Sequence, residues 1–152
     1  MRSPVASWSR WLQWALAVSI VAAVGWGVYH QATKRPADTV YITLGELRSR
    51  AAEVRQVAER AAREDVTEAY LDAQTRQLAG AVASLRDDLG KARGKGSSSG
   101  AAAGYALAGR LLDVARALHE RGHSPPDAKS LRDAAAAIVD ALLPLERAAR
   151  PA

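Results

Sequence analysis

The chain has 152 residues, no cysteine and a formal net charge of +5. Without cysteine it has no disulfide, no thiolate zinc site, no covalent haem attachment and no cysteine nucleophile. The charge is not a nucleic-acid signal. Arg2, Arg10, Lys34 and Arg35 stand in residues 1–35 with no acid, while the remainder sets 17 Lys/Arg against 16 Asp/Glu and contains no Phe to stack on bases. The basic excess therefore belongs to the flanks of one N-terminal segment, where it suits anionic lipid headgroups.

Residues 1–10 form a short basic tail. Residues 11–29, WLQWALAVSIVAAVGWGVY, carry no charge, and as a helix they reach about 28 Å, close to the hydrocarbon thickness of a bilayer. Trp11 and Trp14 stand at one end, Trp26 and Tyr29 at the other, as amphipathic rings do at membrane interfaces. The segment reads as a transmembrane anchor. Ala23-Val24-Gly25 has the small-x-small form of a signal cleavage site, but it lies inside the apolar run with Trp26 behind it, which favours a retained single-pass signal-anchor. A short tail before a first apolar segment stays inside. The chain is thus expected in the cell inner membrane, with its C-terminal domain on the periplasmic or extracytoplasmic side and membrane lipid as one partner.

Residues 30–43 read as a juxtamembrane connector interrupted at Pro36. From Leu47 the periodicity is helical. Leu47, Ala51, Val54, Ala58 and Ala61 make one seam, and Leu71, Thr75, Leu78, Val82, Leu85 and Leu89 a second. The two are out of phase, which predicts helices 1 and 2 within 44–90 (roughly 44–63 and 66–90), with Asp65 and Glu68 as a capping box. One long helix with a stammer is the runner-up. Residues 91–104 read as a flexible Gly/Ser/basic linker without the strand or spacing of a phosphate loop. Helices 3 and 4 fill 105–150. Their seams are Leu107, Leu111, Val114 and Leu118, then Leu131, Ala135, Ile138, Leu142 and Leu145. Between them come Gly122 as a left-handed stop and Ser124 as an N-cap before Pro125; Pro144 predicts a kink or fraying. The fold class is all-α: an N-terminal transmembrane helix followed by a small up-down bundle of about four helices, with a long helical hairpin as runner-up.

One motif bears on catalysis. His119-Glu120-Arg121-Gly122-His123 matches HExxH, which on a helix sets two imidazoles one turn apart with Glu as general base. Gly122 inside the motif and Pro125 after it predict that His123 lies beyond the helix end, and only Glu146 offers a third ligand. The bland reading, His119 in a last turn and His123 in a loop, is the expectation. Tyr70 and Tyr105 read as partly buried packing residues able to meet each other or a partner. No nucleophile–base set assembles, so neither enzyme activity nor a cofactor is expected. The apolar positions Leu47, Val54, Leu71, Leu78, Val82, Leu85, Leu131, Ile138 and Leu142 are core by first expectation. On an Ala-rich, thin core they also serve as an interaction seam for a protein partner or a second copy.

In layout — short tail, one anchor, exported Ala/Arg/Glu-rich helical domain — the chain resembles the inner-membrane spanins of phage lysis cassettes, and Leu85 to Arg93 is similar to their helical region. It departs from them in lacking cysteine and in its four-part seam. The expectation is a non-catalytic membrane-anchored interaction or accessory protein. The alternatives are a spanin-like lysis protein and a small zinc-dependent hydrolase using His119, Glu120 and His123.

Overall fold

A computed structural model describes residues 36–94 and 99–150. The tail, the expected anchor with Trp11, Trp14, Trp26 and Tyr29, and residues 30–35 lie outside the described residues. So does the centre of the linker, 95–98. The described chain is four α-helices: α1 (Pro36–Ala62), α2 (Glu68–Gly94), α3 (Ser99–Arg121) and α4 (Pro125–Ala149). No described helix is long and apolar enough to cross a membrane.

α1 packs most extensively on α4, and α2 on α3; α1–α2 and α3–α4 contacts close the ring, and α1 also meets α3 across it. Neighbours run antiparallel. Gly45 near the start of α1 lies against Glu146 near the end of α4, and Gly90 near the end of α2 against Tyr105 near the start of α3. One end of the bundle thus carries the start of α1, the α2–α3 link and the end of α4, and is called the terminal end below. The other carries the α1–α2 and α3–α4 turns and is called the turn end. This is an up-down bundle, and the hairpin and single-helix alternatives do not describe it.

The first, second and fourth seams fill the interior. Every member of the second is buried, as are Leu47, Ala51, Val54, Ala58 and Ala61 of the first and all of the fourth save the partly buried Leu145. The third is corrected. Leu111 and Leu118 are buried, but Leu107 and Val114 are only partly so, and the inward positions are filled by Ala101, Gly104, Ala108, Leu112 and Ala115. Small residues on that face let α3 approach its neighbours closely. A Cβ on Gly104 would stand 2.6 Å from Leu44 Cδ2.

Several boundaries also differ from expectation. The connector 30–43 is helical from Pro36, with Val40, Thr43 and Leu44 buried. A proline in the first turn removes an N–H that has no intrahelical acceptor, so it starts a helix as readily as it breaks one. The linker 91–104 shrinks from both sides, because α2 runs to Gly94 and α3 begins at Ser99. Burial of Ala101 and Gly104 outweighs the poor intrinsic propensity of the Gly/Ser stretch. α4 continues through Pro144 to Ala149, where fraying was expected.

The turns are built differently from the sequence reading too. Thr67, not Asp65, caps α2: its hydroxyl accepts from the Tyr70 N–H at 3.3 Å. α1 ends in a Schellman motif, with the Asp65 N–H on the Arg60 carbonyl and the Glu64 N–H on the Ala61 carbonyl, both at 3.0 Å. Glu64 occupies the left-handed position, φ 60°, which a glycine fills without Cβ strain. Glu64→Gly is therefore expected to stabilise the bundle by about 0.5–1 kcal/mol, read as a rise in thermal midpoint with unchanged cooperativity. Gly122 is not left-handed. It is required for space, since a Cβ there would stand 2.2 Å from the Leu118 carbonyl oxygen. Ser124 takes the N-cap position before Pro125 without a side-chain hydrogen bond.

Candidate functional site

The HExxH segment separates as its glycine predicts. His119 and Glu120 lie in the last turn of α3, which ends at Arg121, and His123 is exposed in the turn beyond. Glu146, the third-ligand candidate, is at the opposite end of the bundle, its Oε2 3.1 Å from Arg48 Nε. Among the described residues no three His, Asp or Glu side chains converge to hold a metal ion.

His119 instead ties α3 to α2. Its Nδ1 lies 3.2 Å from Asp72 Oδ1 and 3.2 Å from the hydroxyl of buried Thr75, which donates to the Leu71 carbonyl at 2.8 Å. With that hydroxyl proton committed, Nδ1 is the donor in this arrangement. An acid, an imidazole and a hydroxyl in one cluster suggest a catalytic triad, but the geometry is wrong for one. A triad places acid and nucleophile on opposite ring nitrogens; here both meet Nδ1. The cluster can fasten helices and cannot relay a proton to the hydroxyl.

The residues of the expected interaction seam take the core role that was their first expectation. Leu47, Val54, Leu71, Leu78, Val82, Leu85, Leu131, Ile138 and Leu142 are all buried within the four-helix interior. A partner would reach them only by opening the bundle, because the seams close on one another. Tyr70 and Tyr105 do not meet: Tyr70 is exposed at the turn end and Tyr105 is half-buried at the terminal end.

Among the described residues the exterior carries a surface cleft and a side-chain cluster. The cleft, about 390 Å³ at the turn end, lies between Glu59 and Ala62 of α1, with Arg63 just beyond them, and Pro125, Lys129 and Arg132 of α4. Its charges are mixed and no group in it converges on a centre. The cluster is more specific. Arg86 and Arg93 of α2 place their guanidinium carbons 4.7 and 4.6 Å from the centroid of the Tyr105 ring. Arg86 Nη2 also donates to the Tyr105 hydroxyl at 3.0 Å, and its Nε is buried with no acceptor. Gly90, between the two arginines on the same face of α2, leaves room for the ring; a Cβ there would stand 3.3 Å from it.

Cation–π contact accounts for one guanidinium on a tyrosine. Two on one ring repel each other, and among the described residues neither Arg86 nor Arg93 has a carboxylate partner. The nearby Asp88 is engaged elsewhere: Lys91 Nζ contacts it at 2.9 Å, and that hydrogen bond holds the Lys91 ammonium above its ordinary pKa. Sequence reasoning missed this cluster. The signal available to it was Arg86, Gly90 and Arg93 at helical spacing, followed by a run with no acid until Asp113.

No protein-family model, curated protein or solved structure matches the chain.

Proposed function

We propose that this chain is a membrane-tethered, non-catalytic interaction or accessory protein. In this reading residues 11–29 lodge in the inner membrane, and the bundle on the extracytoplasmic side binds a partner protein or a second copy at the membrane surface. One juxtaposition carries it. A bilayer-length uncharged segment is followed, six residues after Tyr29, by a bundle whose apolar seams face inward. A body built that way contributes its outer surface rather than a deep cleft. The zinc-hydrolase alternative draws no support from His119 and His123 as placed. The spanin-like alternative draws none from helices of 23–27 residues that fold back on one another.

The test uses the full chain in bacterial cells. It is expected to stay in the membrane pellet through alkaline carbonate washing and to lose its bundle to protease added outside spheroplasts. An amine-reactive cross-linker is expected to give one discrete adduct of defined stoichiometry. Release by carbonate with the first residues missing would overturn the tether. Stoichiometric zinc with hydrolytic turnover would overturn the non-catalytic reading.

A further inference from the structure

We propose that the Arg86–Tyr105–Arg93 cluster is a docking site for the phosphate headgroups of anionic lipid, holding the terminal end of the bundle on the membrane surface. The proposal rests on the tether of the preceding section and adds which surface of the bundle meets the lipid. Four observations lead to it.

First, two guanidiniums converge on one ring with no carboxylate partner among the described residues, so the cluster carries uncompensated charge that an anion would neutralise. Guanidiniums present paired N–H donors to phosphate oxygens and remain charged at any physiological pH. Second, the ring fixes the arginines: Arg86 is held by the Tyr105 hydroxyl at 3.0 Å, which lowers the entropy lost when they grip a ligand. Third, the surrounding sequence is basic. Between Asp88 and Asp113 stand Lys91, Arg93, Lys95 and Arg110 without an acid, whereas residues 59–68 at the other end mix Arg60 and Arg63 with Glu59, Glu64, Asp65 and Glu68. Fourth, the cluster is at the end where α1 begins. Six residues, including Lys34 and Arg35, separate Tyr29 from Pro36, a contour of about 25 Å at most. Near an anionic leaflet a cationic site gains attraction from each Lys or Arg.

A purely structural account explains less. A last-turn cation suits the dipole of α2, which covers Lys91 and Arg93. The ring and hydroxyl of Tyr105 account for Arg86, but not for a second guanidinium on the same ring or for a buried Nε without an acceptor.

The absence of cysteine allows a clean test on the full chain. A single cysteine at Gly94, which has open space around it, or at Asp65 in the opposite turn carries a fluorophore. Each protein is reconstituted into vesicles of phosphatidylcholine alone or mixed with phosphatidylglycerol, with a nitroxide-headgroup lipid as quencher. The expected result is strong quenching at the Gly94 position only with phosphatidylglycerol, little at the Asp65 position in either vesicle, and loss of quenching at high salt. Arg86→Gln with Arg93→Gln is expected to lower the docking constant about 30-fold. Circular dichroism confirms that the variant folds. Should Arg86→Gln disturb the fold, the exposed Arg93→Gln alone is expected to give about a fivefold loss. Equal quenching in neutral vesicles, no quenching at Gly94, or full quenching in the glutamine variants would each overturn the proposal. Carbonate extraction of the same vesicles reads the tether separately: a stripped chain that still docks only on phosphatidylglycerol would refute the tether and keep the site.

Discussion

Leu142→Ala is expected to lower the unfolding free energy of the bundle by about 2–5 kcal/mol, the range for truncating a fully buried leucine. Leu142 is 0% exposed and sits in α4, whose largest contact is with α1. The proportion matters more than the number. Ala51, Ala58, Ala61, Ala101, Ala108, Ala115, Ala128 and Ala135 are eight of the 24 buried apolar positions among the described residues, so the Leu, Val and Ile side chains carry most of the apolar burial. Domains of this size have roughly 5–15 kcal/mol in total, and one leucine here is a substantial share of it. Urea unfolding of the full chain in mild detergent, followed by far-ultraviolet dichroism, should show an earlier midpoint with an unchanged slope. The same variant separates two roles for the seam. A residue that faced a partner would weaken association and leave the midpoint in place; Leu142 as core moves the midpoint.

How much of this was legible in the sequence depended on side-chain size. The second seam was readable to the residue, because Leu71, Leu78, Val82, Leu85 and Leu89 mark every inward position but Thr75, and no other period fits them. The α1–α2 turn was readable from the phase slip between two such seams. α3 was half-readable. Ala101, Gly104, Ala108 and Ala115 face inward, yet alanine and glycine look the same whether they line a core or a linker, so the pattern alone leaves the start of the helix within the flexible stretch. The start of α1 was hidden by Pro36, which begins or ends helices depending on context that lies outside the local sequence. The expected membrane segment rests on length and composition alone, and residues 11–29 lie outside the described residues. The arginine–tyrosine cluster was not, because it joins Arg86 and Arg93 to Tyr105 across the α2–α3 link, and only the antiparallel register brings them together.

That register also makes Gly104 the most informative small residue in the protein. Gly→Ala inside a helix ordinarily stabilises by up to about 1 kcal/mol. Gly80, with nothing within 4 Å of a new Cβ, is expected to show that gain. At Gly104 the new methyl would lie 2.6 Å from Leu44 Cδ2 and 3.3 Å from Leu89 Cδ1, and overpacking costs about 1–3 kcal/mol. The clash exceeds the propensity gain, so Gly104→Ala is expected to destabilise. Leu44 is fully buried, and Leu44→Ala alone should cost about 2–5 kcal/mol by leaving a void. Together the two changes relieve each other: the clashing methyl is gone, and the alanine at 104 partly fills the space. In the Leu44→Ala background, Gly104→Ala should therefore change sign and become stabilising, with a coupling energy of about 1–3 kcal/mol. Thermal or urea melts of the four proteins complete the cycle. If Gly104→Ala stabilised both backgrounds equally, the close approach of α3 to α1 that positions Tyr105 beside the arginines of α2 would be refuted.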